Sequence, residues 1–451
     1  MYFKTATIMQ PASDISPVAQ AERLTILDSL RGIAILAILL MNIAVFGLPH
    51  IAVSDPSIIG ETGINYYTWY IIDGVFDSTQ RGLFSILFGA GIILFINRLE
   101  KRLPGILPAV YFFRRQLWLM LFGLINVFVL LFSGEILYAY SICGMLLFAF
   151  VKLPPKALFL AAFICFALSI ARENKNLYRD RSIVREGEMV ELLDTSSSKL
   201  NSTQHESLKK MQAFKSENSK VEKRKEFEKS VMITRGSFSD IYKIQSSEGV
   251  ASQTIGFYSY FWELVFLMLL GMGFYKTGII TATHSYKPYL FLFILGFGIG
   301  LPLSYLQLQP EIQYDFNRFD IAKNTGFAFK QISRFSRTMG FFGLIMLLYK
   351  SDRMKWLFKL MQPVGQMAFT NYILQIIICD IIFYGIGFSM FATLQRYELY
   401  YVMASIWVFQ IIYSHLWLRY FQFGPFEWLW RSLTYWKLQP IKKQMLTFQS
   451  V

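Results

Sequence analysis

The chain has 451 residues, 54% hydrophobic, 17% aromatic and only 16% charged. Its apolar residues come in runs long enough to cross a bilayer, which excludes a soluble globular protein and indicates an all-α, polytopic membrane helix bundle. The formal net charge of +14 does not point to nucleic acid, because the positive residues sit mainly between apolar runs, where they set topology and meet anionic lipid.

Residues 1–27 read as a polar cytoplasmic tail without a cleavable signal, so the first helix serves as an uncleaved anchor. Ten spans are predicted, at 28–47, 82–97, 116–132, 136–151, 157–171, 258–275, 288–308, 334–350, 366–391 and 399–418. With both termini inside, twenty Lys and Arg residues flank the inner ends and seven the outer, which favours an N-in, C-in topology. Five spans in 28–171 and five in 257–420 flank a charged extracytoplasmic insertion at 172–256. An interfacial helix and tail follow at 421–451. The insertion holds 16 basic and 13 acidic residues. It is too polar for a large core, and a polar helix is expected over Ser207–Ser230, with a flexible break at Thr195–Ser198. Cys143, Cys165 and Cys379 all lie in apolar runs and indicate neither a disulfide nor a zinc site.

The stretch LDSLRGIAILAILLMN, Leu27–Asn42, joins a wholly apolar run to ionisable residues at its edge. Asp28 and Arg31 share a helical face and can pair, and Asp28 can also cap the helix. The pair serves either to anchor the helix at the interface or to set Arg31 in a polar cavity, holding an anion. His50 follows in the first outer loop. It is either a solvated side chain or a general base, since histidine titrates near the working pH.

Ile64–Gln80 is aromatic, with Asp73 and Asp77 four residues apart, and reads as a helix on or re-entering the outer surface. Asp77 either pairs with Arg81 or lines a polar vestibule. In Arg81–Gly91, Ser85, Gly89, Ala90 and Gly91 permit close helix packing. Arg114 and Arg115 either snorkel to headgroups or bind a phosphorylated donor. Glu135, at a short hairpin between the third and fourth spans, is a candidate proton acceptor or a partner for Arg81. Glu263 is embedded among aromatics. Gly271 and Gly273 thin the sixth span, and Gly296, Gly298, Gly300 and Pro302 suggest close contact or a kink in the seventh. In Pro363–Tyr384, Asn371 and Gln375 form a polar stripe that must face protein or water. Glu427 and Arg431 stand at i,i+4 in GPFEWLWR.

Several of these segments carry a resemblance. Arg31 with Gly32-Ile33-Ala34 and the apolar run to Asn42, RGLFSILFGAG at Arg81–Gly91, SGEILYAYSICG at Ser133–Gly144, PVGQMAFTNYILQ from Pro363, and GPFEWLWR at Gly424–Arg431 together resemble the YeiB-type bacterial membrane proteins (domain of unknown function 418). That family is distantly similar to transmembrane acyltransferases, among them heparan glucosaminide N-acetyltransferase and the acyltransferase-3 proteins. In acyltransferase-3 proteins the first helix runs Arg, ten residues, His; here Arg31 and ten residues reach Asn42. The glucosaminide enzyme resembles this chain in having Asn there and a catalytic histidine in the following loop, the place of His50.

The resemblance implies a multi-pass protein of the bacterial inner membrane that transfers an acyl group. The donor would be a cytoplasmic acyl-CoA, bound as substrate near Asp28, Arg31, Arg114 and Arg115, with no permanently bound cofactor and no metal. The acceptor would be an extracytoplasmic small molecule, glycan or lipid-linked sugar reaching His50, Asp77 and Glu135, with Asn42 donating to the oxyanion. Asn371 and Gln375 join the binding set. Membrane lipids are the expected partners, and a homo-oligomer is compatible with this. A transporter or exporter of a small anion or lipid intermediate would use the same buried polar residues. A scaffold recruiting partners through 172–256 would use the insertion instead.

Overall fold

The structure is a computed structural model and describes residues 24–60, 62–193 and 200–443. Most of the predicted N-terminal tail and the break at Thr195–Ser198 lie outside the described residues. Among those described, the chain forms eighteen α-helices and no strand beyond one isolated bridge.

Helix α1 (Thr25–Gly47) is the first span. Asp28 does not cap it: the cap is Leu24, and Asp28 lies in the first turn, where its charge complements the positive end of the helix dipole. Short α2 (His50–Ser54) and α3 (Gly63–Ile71) follow, and a π-turn at Ile72–Phe76 bends the chain. Ser78, with a positive φ of 59°, turns it into α4 (Thr79–Glu100). Helices α5 (Leu107–Phe128) and α6 (Leu137–Leu147) form a hairpin whose loop holds Glu135.

The predicted fifth span does not stop near residue 171. Helix α7 (Pro155–Glu191) runs on for 37 residues and projects beyond the bundle. The insertion continues as α8 (Ser202–Glu217), α9 (Lys220–Thr234) and α10 (Phe238–Ala251). The single helix expected over Ser207–Ser230 is two, because Ser219 caps the backbone N–H of Glu222 and starts α9 anew. Its buried core is small: Val184 and Met211 pack with Phe319 from beyond the insertion.

In the second half, α11 (Phe257–Lys276) and α12 (Lys287–Gln313) lead to α13 (Arg318–Asn324) and α14 (Lys330–Lys350). The segment expected as a loop, 309–337, is thus largely helical. Helix α12 continues through Pro302 and Pro310. The ninth predicted span, 366–391, is not straight. It falls on α16 (Ala368–Phe383), which ends eight residues early and meets the preceding α15 (Lys355–Gln366) at Met367 with a 77° bend. Helices α17 (Arg396–Tyr420) and α18 (Pro425–Tyr435) complete the chain.

Helices therefore occupy all ten predicted span positions. Six stretches among the described residues are long and apolar enough to cross a membrane, and the bent pair makes a seventh. The other three positions fall on α5, which carries Arg114 and Arg115, on the short Leu137–Phe150, and on α14, which carries Arg334 and Arg337.

Glycines set the closest helix approaches. A Cβ on Gly89 would strike the Met268 carbonyl and one on Gly271 the Ile86 carbonyl, so α4 and α11 meet backbone to backbone. Gly32 and Gly365 do the same for α1 and α15. Without a hydrophobic force between helices in lipid, such contacts carry the association. Two hydrophobic clusters result. One joins α4, α6, α7, α11 and α14, the other α1, α5 and α15–α17. The insertion is clamped onto the second. Lys223 pairs with Asp55 at 2.8 Å, Arg235 donates to the Phe391 carbonyl at 2.7 Å, and the Gly385 N–H donates to the Thr234 carbonyl.

Candidate functional site

Between α1, α4, α5, α6, the α15–α16 break and α18 lies a cavity of about 240 Å³. Along α4 its lining runs from Phe84 to Arg98, about 21 Å at 1.5 Å per residue. The two ends differ. At one end are Arg98, Arg115 and Arg431; at the other Tyr140 stands against Phe84 and Phe88, with Tyr372 from α16. The middle is apolar, with Ile35, Ile38, Leu87 and Leu119.

Each arginine is placed by local structure. Arg31 projects from α1 over Gly91 of α4, where a Cβ would come within 3.3 Å of its guanidinium. It pairs with Asp28 at 3.3 Å, as their spacing predicts. Arg115 lies 3.6 Å from the Trp430 ring centre and 4.9 Å from that of Phe95, a cation–π sandwich. The Trp430 indole N–H donates to the Arg115 carbonyl at 3.0 Å, which ties α18 to α5. The lining holds four arginines, with Arg31 and Arg431, against two carboxylates, Asp28 and Glu427. Two buried acceptors in the lining, Asp28 Oδ2 and Gln116 Oε1, have no hydrogen-bond partner.

Glu427 is bound at the start of α16. Its carboxylate accepts from the backbone N–H of Phe369 and Thr370 and from the Thr370 hydroxyl, so it caps the freshly started α16. Burial pushes this carboxyl above its usual range, against those hydrogen bonds. Arg431 stands over the Phe423 ring at 4.5 Å.

Glu135 lies just behind the tyrosine end. It does not reach Arg81. It accepts from Asn126 Nδ2, from the Leu137 N–H and, at 3.2 Å, from the Tyr372 hydroxyl. Its carbonyl accepts from Gln253, on the insertion's return to the bundle, at 2.7 Å. Burial pushes the Glu135 carboxyl up to about 7 in spite of these bonds.

The remaining predicted residues lie elsewhere. Arg114 faces out, donating to the Thr434 carbonyl and stacking on Tyr111 and Trp436. Asn42 sits one turn past Ile38, the last α1 residue of the lining. His50 is exposed at the start of α2, close to Glu248 of the insertion. Asn371 and Gln375 form a polar seam: Asn371 donates to the Val364 carbonyl and to Ser414, and Gln375 to the Ile35 carbonyl and to Gln410. This is interhelical bonding, away from the cavity.

Asp77 belongs to a second polar region. It pairs bidentately with Arg334 at 2.8 and 3.1 Å rather than with Arg81, which takes Glu263 at 2.7 Å. Arg337 donates to the carbonyls of Asp73 and Gly74 and holds the π-turn. A one-turn spacing on a sequence cannot foresee such partners, because they come from α11 and α14, some 180 and 257 residues away. Sequence reading also missed Tyr372, Trp430 and Arg98. The tryptophan-rich box around Trp430 was the one available signal.

The fold and the cavity define a multi-helix membrane protein with an amphiphilic, arginine-ended pocket. Residues 274–437 match the family described as "Protein of unknown function (DUF418)". The chain is 29% identical over 424 residues, 92% of its length, to the protein described as "Uncharacterized protein YeiB" of Escherichia coli (strain K12), covering 96% of that protein. It is 27% identical over 449 residues to "Uncharacterized protein YxaH" of Bacillus subtilis (strain 168), covering 96% of this chain and 99% of that one. Over nearly its whole length the chain is thus similar to the YeiB-type proteins, and its C-terminal third matches their family model. No solved structure matches it.

Proposed function

We propose that the protein transfers an acyl group from a cytoplasmic acyl-CoA-like donor held in the arginine-ended cavity to an extracytoplasmic acceptor, in the bacterial inner membrane. The cavity's polarity supports this reading. A phosphate-bearing head suits Arg31, Arg98, Arg115 and Arg431, since guanidinium binds phosphate bidentately. The apolar middle suits the methylene-rich connecting arm of the donor, which carries the thioester towards the tyrosine end. The unpartnered Asp28 Oδ2 and Gln116 Oε1 suit N–H donors along the connecting arm. Asp28, Arg31 and Arg115 stay in the binding set, joined by Arg98, Arg431 and Gln116. Glu135 replaces His50 as the proton acceptor, because it adjoins the cavity and His50 does not.

The test is binding of acyl-CoA and of free CoA to detergent-purified protein, wild type beside Arg31→Ala. Saturable binding lost in the variant is expected; no binding to wild type at any concentration sinks the reading.

A second reading, export of an anionic lipid intermediate, has one observation in its favour. The broken helix α15–α16 lines the cavity, and transporters place broken helices at their sites. Flux of a labelled lipid in vesicles without any donor bound would favour it.

A further inference from the structure

We propose that Tyr372 is a catalytic residue that takes the acceptor's proton and passes it to Glu135, the proton reservoir behind it. The proposal rests on the acyl-transfer reading. Glu135 is 1% exposed and does not line the cavity, whereas Tyr372 does. Among the described residues its hydroxyl is the side-chain group that bridges the cavity to the carboxyl, at 3.2 Å from Glu135 Oε2. Asn126 and the Leu137 N–H hold the carboxyl in that direction, and Gln253 holds its backbone.

The other tyrosine at this end, Tyr140, is differently bound. Its hydroxyl meets Ser85 at 2.6 Å and donates to the Arg81 carbonyl at 3.2 Å, so it faces no carboxylate. The groups facing Glu135 are the neutral Asn126 and Gln253, Tyr372 from α16 and Tyr260 from α11, with Tyr140 beyond Tyr372. None is a base, so Glu135 is the proton acceptor within reach. Burial, which brings its carboxyl to about 7, suits that task near neutral pH.

The step balances. The acceptor oxygen attacks the thioester carbonyl and forms the new C–O bond. Its proton goes to the Tyr372 oxygen while the Tyr372 proton passes to the Glu135 carboxylate. The C–S bond then breaks, and the proton returns through Tyr372 to the departing thiolate.

Infrared titration of the full-length protein in detergent tests this, with palmitoyl-CoA as the probe. Wild type should show a carboxyl band titrating near pH 7, absent in Glu135→Gln. Bound palmitoyl-CoA should shift the midpoint of that titration. In Tyr372→Phe the probe should bind with unchanged Kd but leave the midpoint where it is. A shift that persists in Tyr372→Phe, or binding to wild type without any shift, overturns the relay while leaving the donor reading intact. Failure of palmitoyl-CoA to bind wild type overturns the donor reading and the relay with it.

Discussion

Around Asp77 the protein gathers the carboxylates Asp73, Asp77, Glu173, Glu263 and Glu311 against Arg81, Lys330, Arg334 and Arg337. Around Arg31 it sets four arginines against two carboxylates, one of them turned to a helix end. The first region is closed: its lining leaves a void of only about 10 Å³ beside Glu263 and Arg334. The second keeps about 240 Å³ open. The difference is chemical as well as spatial. A buried charge held by a fixed partner ties its helices together, because losing either partner strands the other, whereas open space lined by guanidinium groups can admit an anionic group. The first region reads as a structural clasp between the π-turn, α4, α11 and α14. The second reads as a binding site.

Breaking the clasp should have the largest effect on stability. Arg334→Ala strands the Asp77 carboxylate, 10% exposed, without its bidentate partner. A loss of about 3–5 kcal/mol is expected, read as unfolding in detergent, and Asp77→Asn in the same chain should return part of it. A loss under about 1 kcal/mol would mean that the clasp is open in the native protein.

Next in size is a pH effect at the cavity's far end. Glu135 has its pKa raised from 4.5 to about 7 on folding. The folded state therefore binds the extra proton between those values, and stability is full below about pH 4.5 and lost as the pH rises through about 7. The span is worth about 3 kcal/mol. In Glu135→Gln this slope should vanish from a plot of melting temperature against pH.

The α1–α15 contact borders the cavity at Asp28 and Gly365. Gly365→Ala puts a methyl group against the Asp28 carbonyl and the Gly32 N–H. Because backbone must move, about 1–3 kcal/mol is expected. The shift carries Asp28 with it, so palmitoyl-CoA affinity should fall as well.

The smallest stability effect belongs to the cavity's own arginine. The Arg31 side chain is 30% exposed and its pair with Asp28 spans 3.3 Å. Arg31→Ala should cost no more than about 1 kcal/mol of stability. Donor affinity should nonetheless drop tenfold or more, about 1.4 kcal/mol. Equal losses from Arg31→Ala and Arg334→Ala in both assays would erase the distinction between clasp and site.

The sequence by itself determined the membrane class, a helix at each apolar run and the likeness to the YeiB-type proteins. Apolar runs and small-residue stripes are local properties, and lipid makes them decisive: every backbone group there must bond within its own helix. The Asp28–Arg31 pair was legible for the same reason, being one turn apart. Tertiary structure alone decided the partners of Asp77, Arg81, Glu135 and Glu427, because a buried charge pairs with whatever opposite group or free helix end lies nearest in space. It also decided that α16 turns by 77° from α15 at Met367 and ends at Phe383, short of the predicted span. Above all it decided that Arg31, Arg115, Tyr372 and Trp430 surround one cavity while His50 and Asn42 do not. Along α1 each residue advances about 1.5 Å, so Arg31 and Asn42 stand about 17 Å apart on a rigid rod, too far to meet at one reacting atom.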